Sequence, residues 1–172
     1  MAVYALGDSV PEIHPEAYVH PEATIIGAVR IGASSTVWPQ AVLRGDYGRI
    51  TVGARTSIQD GAVIHCTAAH ATHIGDDCVI GHLAHLEGCT VEDAVLVGTG
   101  SIVLHRVVIR SHSLVGAGAV VPAGLEVPSG AMALGVPAKV RLDAVTSEQI
   151  LPLAANYVEN ATRYRRELRR VD

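Results

Sequence analysis

From Ile13 to Val127 an aliphatic side chain keeps returning at six-residue intervals, and few folds accept such a period. The positions are Ile13, Val19, Ile25, Ile31, Val37, Leu43; Val52, Ile58, Ile64; Ile74, Ile80, Leu86; then Val91, Val97, Val103, Ile109, Val115, Val121, Val127. Ile, Leu and Val make up 49 of the 172 residues, so six successive hits have chance odds of about one in two thousand. Neither the 3.6-residue turn of a helix nor strand alternation yields a period of six. Short strands joined by tight corners do, when each hexad places one side chain inward and three hexads close one triangular coil.

The expected architecture is an all-β solenoid, a left-handed parallel β-helix, over residues 1–140. The segment Gly135-Val136-Pro137-Ala138-Lys139 turns the chain away from the prism. Residues 141–172 then form a C-terminal α-helix packing on it, because Ile150, Ala154, Tyr157, Val158, Ala161, Tyr164 and Leu168 recur at helical spacing. Ser147-Glu148-Gln149 marks the helix start, but Pro152 belongs in a first turn. The start is therefore expected slightly later than Ser147. Arg163, Arg165, Arg166, Arg169 and Arg170 read as a solvated face.

Phe is absent and aromatics are 3%, which suits a narrow interior filled by aliphatics. A net charge of −4 offers no basic footprint for nucleic acid. No stretch is apolar enough to span a membrane, and the N-terminal residues lack the pattern of a signal peptide. Cys66, Cys78 and Cys89 are odd in number and form no CxxC pair, so they read as buried thiols in a reducing cytoplasm.

The period breaks at three places, with steps of nine (Leu43 to Val52), ten (Ile64 to Ile74) and five (Leu86 to Val91) residues. Loops extruded there are the expected carriers of function. Aligned by coil, the marks form three columns: Ile31, Val52, Ile74, Val91; Val37, Ile58, Ile80, Val97; and Leu43, Ile64, Leu86, Val103. Residues after each mark point outward and stack about 4.8 Å apart, which stacks Arg44, His65 and Glu87. Gln59 lies outside the second column, with Asp60 and His82 one above the other at the next corner. His65 and Glu87 are neighbours while His82 occupies another edge, so only two prisms side by side can unite them. Closed symmetry makes a homotrimer the expected assembly.

Imidazole and carboxylate are ordinary zinc ligands, and three protein ligands plus water define a catalytic site. A lone outward histidine more often decorates an interface. His65, His82 and Glu87, flanked by Arg44, Asp46, Gln59 and Asp60, instead read as a metal site. His85 is a candidate ligand or proton carrier. His70 and His73 are expected as mobile residues of the inserted loop, His105 away from the cleft, and His14, His20 and His112 on the surface.

Three stretches resemble the gamma-class carbonic anhydrases: Trp38-Pro39-Gln40-Ala41-Val42-Leu43-Arg44-Gly45-Asp46, Ser57-Ile58-Gln59-Asp60-Gly61-Ala62-Val63-Ile64-His65, and Gly81-His82. The resemblance covers nearly the whole chain, including Asn156-Tyr157. It implies a homotrimer with zinc, or else iron or cobalt, at subunit interfaces, hydrating CO2 to bicarbonate. His65 is then a ligand from one subunit and His82 from its neighbour. Arg44 and Asp46 form the interface ion pair, Gln59 orients the attacking hydroxide, Asp60 supports the interface and Tyr157 approaches the pocket. One position departs from the family pattern: Glu87 stands where a second histidine is usual. The third ligand is then Glu87, or His85, or the site no longer holds metal, and an anionic ligand lowers the metal's Lewis acidity. Two other readings compete: a hexapeptide acyltransferase using His82 or His85 as general base on acyl-coenzyme A, and a non-catalytic trimer with an altered site.

Overall fold

The structure is a computed structural model that describes residues 2–172, the side chain of Ser147 excepted. It is a left-handed parallel β-helix of about seven turns followed by one helix, α1 (Ser147–Glu167). The predicted columns are its ladders. Ile31, Val52, Ile74 and Val91 pair in succession, as do Val37, Ile58, Ile80 and Val97, and Leu43, Ile64, Leu86 and Val103. From Ile25 to Val127 every one of these marks is buried, together forming a single continuous core. Each hexad thus buries one aliphatic side chain against the same positions of the coils above and below, and this burial drives the fold.

Two features of the repeat follow from that stacking. Glycine succeeds a mark where the next coil leaves no room for a side chain: a Cβ at Gly53 would lie 2.5 Å from the carbonyl carbon of Gly75, and one at Gly81 2.6 Å from the Thr99 nitrogen. The corners carry residues at positive φ, successive coils using Ser34, Arg55, Asp77, Ala94 and His112 on one edge. That conformation costs an L-residue about 1 kcal/mol or more. It persists because Arg55, Asp77, Ala94 and His112 each donate to the coil before, as in Arg55 N–H to Ala33 O at 2.8 Å and Ala94 N–H to Asp76 O at 2.8 Å.

The nine-residue step is not a separate loop. Val42–Val52 is one strand pairing with Thr24–Ile31, in which the register passes from Gly27↔Gly45 to Val29↔Ile50. Asp46–Arg49 therefore bulge opposite Ala28 alone. The ten-residue step is tighter than a mobile loop: Thr67 N–H donates to His70 O at 2.9 Å, and Thr72–Ile74 is already a strand. His73 pairs there with Thr51 and Thr90, exposed but held in register. All three cysteines are buried and unpaired, and burial pushes Cys78 and Cys89 up to about 12.

Helix α1 begins at Ser147, earlier than expected, and Pro152 sits in its second turn. Gln149 Oε1 accepts from the Thr146 N–H at 2.9 Å and secures the first turn. The carbonyl that Pro152 cannot serve belongs to Glu148, an exposed residue. The helix covers the second column, burying Ile150, Ala154 and Ala161. Trp38 anchors it, 5.0 Å from Tyr164 and 5.9 Å from Tyr157 between ring centroids, with its indole N–H donating to Thr36 and Ser57 at 3.0 Å. Arg165 is not merely solvated: it donates to the Glu16 carbonyl and lies over the Tyr18 ring.

Candidate metal centre

The third column builds one half of the site. Arg44 lies opposite His65 and His65 opposite Glu87, because each follows an inward mark and so points out. The bulge after Leu43 turns Asp46 back over this row. Arg44 pairs with Asp46 within the chain, rather than with Glu87. Both nitrogens of His65 are engaged: Nε2 lies 2.8 Å from Asp46 Oδ1 and Nδ1 2.8 Å from Glu87 Oε1. The His65 carbonyl and the Gly88 N–H share Thr72 Oγ1, which ties the two strand ends together.

Glu87 has further company. His105 Nε2 lies 3.5 Å and His85 Nε2 3.7 Å from Glu87 Oε2. The expectation that His105 lies away from the cleft is overturned. The five-residue step puts Gly88 at φ +61, and that sharp corner swings the chain so that the next coil's histidine returns beside Glu87. His70 is half-buried rather than fully on the surface, its ring 6.2 Å from that of His105. His85 is the one polar member of an outward aliphatic row, Val42, Val63, His85, Ile102 and Val120. The count locates the five-residue break but not the direction in which its corner turns, which is why His105 escaped it.

The second edge holds the other half. His82 Nδ1 lies 2.9 Å from Asp60 Oδ2, and its backbone N–H donates to Gln59 Oε1 at 3.2 Å. Gln59 is buried under α1. Gln59, His82, Val79, Leu96, Leu153 and Tyr157 line a groove of about 290 Å³ between the helix and the prism. The carboxylate on Nδ1 leaves His82 Nε2 without a partner in the chain, the arrangement of a histidine poised for a metal. Burial first, then the charge of Asp60, push the Tyr157 phenol up, against a hydrogen bond with Gln59. No contact joins His82 to His65 or Glu87, and among the described residues no three His, Cys, Asp or Glu side chains of one chain are arranged to hold a metal ion.

Electrostatically the first edge is a chain of opposite charges. Burial works against ionisation of Asp46 and Glu87, but hydrogen bonds from His65, with Arg44 on Asp46 and the charges of His105 and His85 on Glu87, outweigh it. Both carboxyls are held below their usual range. A depressed carboxylate stabilises the fold above its unfolded pKa, and that stability disappears as pH falls through the folded value. Metal-free protein should therefore become easier to denature as pH drops below about 4. Denaturant titrations across pH should show a shallower loss for Glu87→Gln; equal slopes in parent and variant would show that the chain of charges contributes nothing.

No protein-family model matches the chain. It is 40% identical over 163 residues to gamma carbonic anhydrase 1, mitochondrial, of Arabidopsis thaliana, with 91% of this chain covered. It is also 40% identical over 139 residues to carnitine operon protein CaiE of Escherichia coli K12, covering 81% of this chain and 71% of that protein. The chain belongs to the gamma carbonic anhydrase-like hexapeptide-repeat family. Its match spans only 58% of the length of the Arabidopsis protein. Among solved structures, a hexapeptide transferase family protein from Anaplasma phagocytophilum superposes with a TM-score of 0.90 at 35% identity, over 95% of this chain and 98% of that one. Family membership accounts for the prism and its terminal helix. The carboxylate at position 87 and its ring of histidines are features read from this chain itself.

Proposed function

We propose that this gamma carbonic anhydrase-like chain forms a homotrimeric metalloenzyme that hydrates CO2 to bicarbonate at sites shared by adjacent subunits. The observation that carries this reading is the division of the donors. His65 and Glu87 stand together on one edge, while His82, fixed by Asp60 with Nε2 free, stands on another. The donor set fits the metal: two imidazoles and a carboxylate are a known zinc set, which iron or cobalt also accept. His65 and Glu87 of one subunit and His82 of the next would hold it, with the hydrogen now between His65 and Glu87 displaced.

A bound metal would supply a water acidic enough to attack CO2 near neutral pH. The chain's residues would do the rest. Arg44 and Asp46 hold the His65 ring, and Asp60 sets the His82 tautomer. Gln59 accepts from the His82 N–H through Oε1 and shares its amide with Tyr157, leaving one amide hydrogen to orient the nucleophile. Tyr157, kept neutral, stands beside Gln59 as a further donor. The buried thiols accord with a reducing compartment such as the cytoplasm, and no helix of the described residues is long and apolar enough to cross a membrane. Stopped-flow CO2 hydration by protein carrying a full complement of zinc or iron tests the reading. A rate well above buffer is expected, and a rate equal to buffer would sink it.

One observation favours a second reading. A His–Asp pair with a free Nε2 beside an apolar-walled groove is also how a general base for acyl transfer is built, and the Anaplasma structure bears a transferase family name. Thermal stabilisation by acyl-coenzyme A and not by zinc would reverse the ranking.

A further inference from the structure

We propose that His105 is a positioning residue for Glu87: reaching across from the next coil, it occupies the carboxylate's outer oxygen and leaves only the inner oxygen to face His65 and the metal. The assignment rests on the metal-site reading above. Glu87 Oε1 is taken by His65 Nδ1 at 2.8 Å, whereas Oε2 has His105 Nε2 at 3.5 Å and His85 Nε2 at 3.7 Å. The two oxygens thus have different partners, and those of Oε2 approach from two different coils.

His105 is held in this place by the backbone around it. Gly88, immediately after Glu87, passes between His70 and His105: a Cβ there would lie 2.9 Å from His70 Cβ and 3.0 Å from His105 Cδ2. The Thr72 hydroxyl fixes the Gly88 N–H at 2.8 Å and also donates to the His65 carbonyl. The ten-residue step that carries His70 and Thr72 and the five-residue step that carries Gly88 therefore work together. One supplies the wall and the other the corner that brings His105 against it.

The consequence lies in what distinguishes a carboxylate from the imidazole usual at this position. Imidazole offers a metal one nitrogen, while a carboxylate can offer one oxygen or both and carries a full negative charge. An imidazole held 3.5 Å from the outer oxygen disfavours two-oxygen binding and draws charge from the ligand electrostatically, as outer partners of metal ligands do. With His105 in place, Glu87 behaves more like the neutral one-atom ligand it replaces. His85, from the same strand as Glu87, flanks the same oxygen from the other side.

The test compares the trimeric parent with His105→Ala and His105→Gln, both at a partly exposed position. Zinc affinity is measured by competition with a chromophoric chelator, and ligand number by the visible absorption of cobalt-loaded protein. His105→Ala is expected to weaken zinc about tenfold or more and to dim the cobalt bands as Glu87 engages through both oxygens. His105→Gln, which keeps an N–H donor, is expected to restore both. Parent-like affinity and spectrum in His105→Ala would overturn the assignment, as would a His105→Gln no better than His105→Ala. A parent that binds no zinc while Glu87→His does would overturn the metal reading itself, an outcome distinct from either.

Discussion

Mixing subunits that carry His65→Ala with subunits that carry His82→Ala should restore zinc binding and CO2 hydration that neither variant shows alone. In the proposed trimer each substitution would remove one ligand from every site, and the loss should exceed the ten- to hundredfold, roughly, that follows removal of an outer partner of a ligand. The mutated residues stand on different edges of the prism. In a mixed trimer some interfaces therefore join an intact His65–Glu87 pair to an intact His82. Random assembly of equal amounts makes that true of about one interface in four. Reassembly from denaturant, followed by zinc analysis and stopped-flow hydration, reads the recovery. If mixed trimers form, as native mass spectrometry can show, and no zinc or rate returns, the donors do not meet across subunits.

Leu86→Ala should cost about 2–5 kcal/mol of stability and weaken metal binding with it. Leu86 is fully buried between Ile64 and Val103 of the adjoining coils, and a rigid stack can collapse only a little around the missing atoms. His85 and Glu87 flank it on the same short strand, so relaxation of Leu86 reaches the site directly. Denaturant unfolding at matched protein concentration measures the first effect, and chelator competition the second. Ile102→Ala, on the outward row beside His85 and partly exposed, serves as the contrast and should cost about 1 kcal/mol or less if its row is solvated. A Leu86→Ala loss no larger than that of Ile102→Ala would mean that the coil interior does not bear the stability assigned to it.

The parts of the site legible in the sequence are those governed by the repeat. A solenoid converts sequence distance into spatial distance by a constant rule, since each inward side chain must stack on the equivalent one of the next coil. Counting hexads was therefore enough to set Arg44 beside His65, His65 beside Glu87 and Asp60 beside His82, and the ladders have that register. The rule fails where the count breaks. Asp46 turns back over His65 because four residues bulge opposite one, and the period does not encode the direction of a bulge. His105 reaches Glu87 because Gly88 takes a positive φ.

Other residues were decided by packing between distant segments. Pro152 argued for a later helix start, but the Gln149–Thr146 bond and the exposure of Glu148 let the helix begin at Ser147. Gln59 points outward from the prism, as the register requires, yet it is buried because α1 lies over it. The periodicity of the chain by itself determined the prism, its three faces and which residues share an edge, because burial of one aliphatic per hexad has only one stacked solution. Only the tertiary structure decided which nitrogen of each histidine is occupied and which oxygen of Glu87 is left for a partner. Those depend on side-chain directions at the corners, where the repeat exerts no control.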